Sequence, residues 1–104
     1  MSHSGRYLWA STRSRNATET GYISVFSVGS SGKVGERLFL KKSTGTGGAA
    51  NAVRPSDWDD RWVANTDSAL GVVEVWEFDG KTARVVASLG IRDTGCCATA
   101  VWYD

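Results

Sequence analysis

Arg13 and Arg15 are the side chains of this sequence best suited to chemistry. They open a polar run, Arg13 to Thr20, that contains no apolar residue larger than Ala17. A guanidinium pairs bidentately with a carboxylate and keeps its charge at any working pH. Two solvated loop arginines would look the same, and composition leaves both readings open. Gly45, Gly47 and Gly48 form a second feature. Such a run can bare backbone N–H groups to an anion, or serve only a tight turn. Asn51 follows; it can donate to a ligand or satisfy a neighbouring backbone group. Asp67 reads as a local turn-former or as a partner for a site arginine. The single histidine, His3, stands at the start of the chain, where fraying is expected. Cys96 and Cys97 are adjacent, and a disulfide between them would close a strained ring. They read as two reduced thiols, which fits a reducing, cytoplasmic setting. No further cysteine pair or histidine cluster joins them, so a metal site is not expected. Asn16-Ala17-Thr18 matches the glycosylation pattern, which matters only in a secreted chain. No nucleophile–base pair and no phosphate loop is present in the sequence.

Those residues need a scaffold, and composition points to strands. The chain has 104 residues with 12 Gly, 1 Pro and 5 Trp. β-branched and aromatic runs alternate with glycine-rich breaks. The net charge of +1 gives no footprint for nucleic acid or for a membrane surface. No apolar run approaches the roughly 18 residues of a spanning helix. The polar start, Met1 to Gly5, has no signal-peptide character.

Strands are predicted over 7–12, 22–28, 36–40, 50–54, 61–66, 72–78, 83–89 and 98–103. The clearest is Tyr22-Ile23-Ser24-Val25-Phe26-Ser27-Val28, which alternates with period two. Gly29 to Gly32 and Asp79-Gly80 are turns, the second a tight hairpin turn that needs a positive φ. Lys41 to Thr46 reads as a polar loop and Arg54 to Asp60 as a turn around Pro55. Segments then repeat. Ala50-Asn51-Ala52-Val53 returns as Ala98-Thr99-Ala100-Val101, Gly21-Tyr22-Ile23 as Gly71-Val72-Val73, and Arg6-Tyr7 as Arg61-Trp62. A period near 50 residues with four strands is that of a propeller blade.

The expected fold is therefore all-β, with antiparallel four-stranded blades. The chain would hold a partial blade over 1–46, a full blade over 47–94 and a lone inner strand over 95–104. Such a chain reads as about two blades from the C-terminal part of a longer propeller. Its unpaired edges predict aggregation or partial unfolding in isolation. Trp62 and Trp76 are expected to be buried between blades. In such meanders the segments Arg13 to Thr20, Lys41 to Asn51, Asp67 to Leu70 and Ile91 to Cys97 share one face, a funnel mouth around the axis.

Several stretches carry a family resemblance. Tyr7-Leu8-Trp9-Ala10-Ser11-Thr12-Arg13, Gly21 to Phe26, Leu38-Phe39-Leu40, Gly47-Gly48-Ala49-Ala50-Asn51-Ala52-Val53 and Ala100-Val101-Trp102-Tyr103-Asp104 resemble the end of fungal 3-carboxy-cis,cis-muconate cyclases. The resemblance implies a seven-bladed lactonase-type propeller of the β-ketoadipate pathway. It implies a cofactor-free reaction, in which one carboxylate of a small tricarboxylate adds across a double bond of the same molecule. Arg13 matches a proposed catalytic arginine of that family. Arg15, Asn51, Gly47 and Gly48 are the accompanying substrate-binding candidates. The family's proposed histidine, glutamate and second arginine would lie upstream. Some members carry a histidine where this sequence has Ala49, a departure that bears on substrate identity. A sugar-lactone lactonase and a non-catalytic propeller scaffold are the rival readings. The sequence does not fix an oligomeric state.

Overall fold

The computed structural model describes residues 1–12, 19–46, 52–67, 71–91 and 101–103. Among the described residues, seven strands follow one another: β1 (Tyr7–Thr12), β2 (Thr20–Val28), β3 (Val34–Thr46), β4 (Val53–Pro55), β5 (Trp62–Asp67), β6 (Val72–Phe78) and β7 (Ala83–Gly90). They form two antiparallel meanders. The first sheet has the order β1-β2-β3 and the second β4-β5-β6-β7. No helix occurs among the described residues. The chain is all-β, with sheets of three and four strands, as a partial propeller would have.

Alternation decides which side chains meet. In β2, Ile23 and Val25 point one way; in β6, Glu74, Trp76 and Phe78 do. These faces close on one another with Trp9, Val63 and Ala83 to make one core. Ile23, Val25 and Val63 are fully buried, a contribution of about 1.5–3 kcal/mol each. Phe78 sits at the centre of the aromatic packing. The Tyr7 and Trp9 rings meet it edge-on, at 4.9 and 5.2 Å between centroids. Trp9 also meets Phe39 edge-on at 5.8 Å.

The repeat extends into the irregularities of the sheets. The β2–β3 register shifts between Val25 and Phe26, and the β6–β7 register shifts between Val75 and Trp76. The two bulges stand at the fifty-residue offset that separates Gly21 from Gly71. The hairpin turn at Asp79 forms as expected. Gly80 takes φ of 97°, a left-handed conformation that costs glycine little. Asp79 Oδ1 accepts from the N–H groups of Lys81 and Thr82, both at 2.9 Å.

Other expectations are corrected. Lys41 to Thr46 is not a loop: β3 continues through it, Gly45 included, because Thr20 and Tyr22 of β2 supply ladder partners. Lysines suit such an exposed edge strand. Pro55 lies within β4 rather than in a turn. Ser56 N–H donates to Trp62 O and Thr66 N–H to Ala52 O. In an alternating ladder this leaves Pro55 opposite Val63 in a non-bonded pair, so no donor is lost. Trp76 is buried as expected, but Trp62 is only half-buried. Trp62 lies on the outer face of the second sheet and is stacked under the Arg61 guanidinium, 4.5 Å from its centroid. His3 is tied down: its Nδ1 lies 2.8 Å from Asp57 O, beside a 2.8 Å bond from Ser4 N–H to Asp60 Oδ1. Of the predicted last strand, 98–100 lie outside the described residues. Val101–Tyr103 joins no ladder.

Candidate functional site

Strand ends show where the candidate segments leave the sheets. β1 stops at Thr12, and Thr12 pairs with Tyr22. Thr20 opens β2 and pairs with Thr46, the last residue of β3. In the second sheet, Asp67 and Gly90 both pair with Val72. The segments between β1 and β2, β3 and β4, and β5 and β6, and that after β7, therefore leave the sheets at one end. Arg13, Arg15, Gly47, Gly48 and Asn51 all belong to these segments and lie outside the described residues. The strands bring their attachment points together. At this end Glu19, Thr20, Tyr22 and Lys42 line a pocket of about 360 Å³. Tyr22 N–H donates to Thr12 Oγ1 at 3.1 Å, which ties β1 to β2 where the arginine-bearing segment departs.

Just inside the same end lies a buried polar group that the sequence reading missed. Glu74 is 3% exposed and faces the core with Trp76 and Phe78. Its Oε2 accepts from Trp76 Nε1 at 3.2 Å. Burial pushes its carboxyl pKa up; the Trp76 bond opposes that rise, and the Asp67 carboxylate adds to it. Asn65 stands opposite Glu74 on β5, also 3% exposed, and its buried Oδ1 has no partner among the described residues. The signal was in the alternation: Glu74 shares parity with Trp76 and Phe78, so it had to face inward with them. Asp67 closes β5 at the loop end and acts electrostatically on Glu74, a role neither sequence reading gave it.

The larger cleft, about 760 Å³, opens at the opposite end of the strands. Charge there is largely matched. Arg61 grips Glu77 through Nη2 at 2.6 Å and Nε at 2.9 Å, and Arg84 reaches the other oxygen at 3.3 Å. Arg61 first, then Arg84, holds the Glu77 carboxyl below its ordinary range. Lys41 Nζ donates to Ala83 O at 2.6 Å. The cations at this end are thus held largely by carboxylates and a backbone carbonyl. No group of metal-binding side chains occurs among the described residues.

No family model matches the chain. It is 35% identical over all 104 residues to the carboxy-cis,cis-muconate cyclase of Neurospora crassa. The chain is related to that cyclase over its whole length. It spans 28% of the cyclase's own length. The similarity takes in both sheets and every connecting segment, including those with Arg13, Arg15 and Asn51.

Proposed function

We propose that these residues form part of a seven-bladed propeller enzyme that lactonises 3-carboxy-cis,cis-muconate without a cofactor. Identity of 35% to a named cyclase over the entire chain is the observation that carries this reading. The fold supports it, because two antiparallel meanders with a shared bulge position are what adjacent blades require. In the proposed reaction a substrate carboxylate oxygen adds to the far end of a double bond. Electron density moves onto the neighbouring carbon and its attached carboxylate, and a proton then arrives at that carbon. One C–O bond and one C–H bond form, the C=C bond is lost, and no group leaves.

Arg13 supplies a permanent planar charge for the carboxylate on which that density collects. Arg15 and Asn51 hold the remaining carboxylates, and the N–H groups at Gly47 and Gly48 add neutral donors. The adjacent cysteines support work in a reducing, cytoplasmic setting. The test is turnover. The full-length protein, given 3-carboxy-cis,cis-muconate, should consume the diene and release a lactone identifiable by NMR, with chelator leaving the rate unchanged. No turnover of this substrate, alongside hydrolysis of a sugar lactone or binding without reaction, would replace the proposal with one of its rivals.

A further inference from the structure

Asn65 and Glu74 stand directly opposite each other on β5 and β6, so their side chains leave one face of the sheet about 5 Å apart. Both are buried. Asn65 Oδ1 has no hydrogen-bond partner among the described residues, and a buried amide oxygen left so costs its desolvation. An ionised carboxylate has only acceptors to offer it, whereas a protonated carboxyl has one O–H donor. Glu74 Oε2 already accepts from Trp76 Nε1, which leaves Oε1 to carry a proton toward Asn65.

The surroundings favour that proton. Burial first, and then the Asp67 carboxylate on β5, push the Glu74 carboxyl up, against the Trp76 bond. Lys41 of β3 faces the second sheet, but its Nζ is held at Ala83 O. Ala83 pairs with Phe78, four positions along β6 from Glu74. Tyr7 of β1 also packs on Phe78. On β7, the partner of Glu74 is the uncharged Ser88, and Arg84 pairs with Glu77 on the outer face. On β4, Arg54 lies on the outer face opposite Ala64.

The same stretch of β5 holds the segment that carries Asn51. Val53 is the β4 partner of Asn65 and packs on the core. Thr66, next along β5, turns its side chain to the other face and is fully buried. Its N–H donates to Ala52 O, and its Oγ1 accepts from Ala52 N–H, both at 3.0 Å. The hydroxyl thus takes a donor that a regular ladder would give to the Thr66 carbonyl. Ala52 adjoins Asn51, so the backbone beside Asn51 is fixed by the residue that follows Asn65.

We infer that Glu74 donates its carboxyl proton to Asn65 Oδ1 and, through Asn65 and Thr66, positions Ala52 and with it Asn51. The role of Asn51 rests on the proposed reaction; the hydrogen bond rests on the geometry alone. Glu74 is a positioning residue, acting through Asn65 and not on the substrate. Its ionisation removes the donor, leaves Asn65 Oδ1 unpaired and sets a second negative charge beside Asp67, so the loop end of β5 loosens.

The tests use the full-length protein. In carbon NMR with labelled glutamate, the carboxyl signal missing from Glu74→Gln should titrate above the ordinary 4.5. Asn65→Leu keeps the site buried and removes the acceptor, so it should lower that midpoint; burial alone would leave it unchanged or raise it. Glu74→Gln keeps a donor for Asn65 Oδ1 at every pH. Above the midpoint, Ala52 N–H should therefore exchange with solvent about tenfold more slowly in Glu74→Gln than in wild type, and below it equally. The wild-type kcat/KM for 3-carboxy-cis,cis-muconate should fall relative to that of Glu74→Gln as pH rises through the same midpoint. A midpoint that Asn65→Leu does not lower overturns the inference. So does equal Ala52 exchange above the midpoint, or a kcat/KM ratio that ignores pH. If Asn65→Leu fails to fold, the exchange comparison decides. NMR and exchange need no turnover. If both come out as expected and no variant consumes the diene, the hydrogen bond stands and the proposed reaction falls.

Discussion

The two sheets are built on one repeat, yet matched positions in them live in different surroundings. Val25 and Val75 are counterparts at the same bulge. Val25 is fully buried against the second sheet, whereas Val75 lies on that sheet's outer face and is half-buried. The repeat therefore fixes backbone and register, while the neighbour fixes burial. A sheet of this kind is complete only when both faces are covered.

The largest effect should come from the covered face. Trp9→Ala removes the ring that packs on Phe39 and Phe78, and it should cost about 3–5 kcal/mol in urea denaturation. Next comes the matched pair of valines. Val25→Ala should cost about 2 kcal/mol, and Val75→Ala less than about 1 kcal/mol under dilute, monomeric conditions. Equal costs would break the comparison.

Smaller effects separate the two faces of β6 by pH. Glu74 faces the core, and its pKa is raised above the ordinary 4.5. Its contribution is fully present below pH 4.5 and is lost as pH rises through the raised value. Glu74→Gln should therefore raise the Tm at neutral pH relative to wild type, with the gain vanishing in acid. Glu77 faces outward, and its pKa is lowered below 4.5. Its contribution is present above pH 4.5 and is lost as pH falls through the lowered value. Glu77→Gln should lower the Tm slightly at neutral pH and not at all in strong acid, and salt should shrink the loss. Thermal melts of both variants from acid to neutral pH check the opposite signs.

Much of the fold was legible because alternation and turn residues are local signals. Tyr22 to Val28 and Val72 to Phe78 show their period directly, and Asp79-Gly80 names its turn. The bulges at Val25 and Val75 were not legible, since a bulge is a property of the pair and not of one strand. Pro55 misled for a related reason: whether a strand tolerates proline depends on which ladder position it meets. Trp62 looked like a buried tryptophan, but no strand among the described residues covers the outer face on which it lies. For the site, strand order gave the end at which Arg13, Arg15 and Asn51 are carried. Glu74 could have been found from its parity with Trp76 and Phe78. Its pairing with Asn65 needed the register.

The central claim is that Arg13, in the segment that leaves β1 at Thr12, holds the carboxylate on which charge develops. The most direct test is kcat/KM for 3-carboxy-cis,cis-muconate in the full-length protein carrying Arg13→Ala, with Arg13→Lys beside it. The account predicts a fall of roughly 10²–10³-fold for Arg13→Ala, the scale of losing one oxyanion donor. Arg13→Lys should recover only part of this, because a point charge does not replace a planar fork, and the Tm should change little in either variant. Wild-type kcat/KM in Arg13→Ala would contradict the claim.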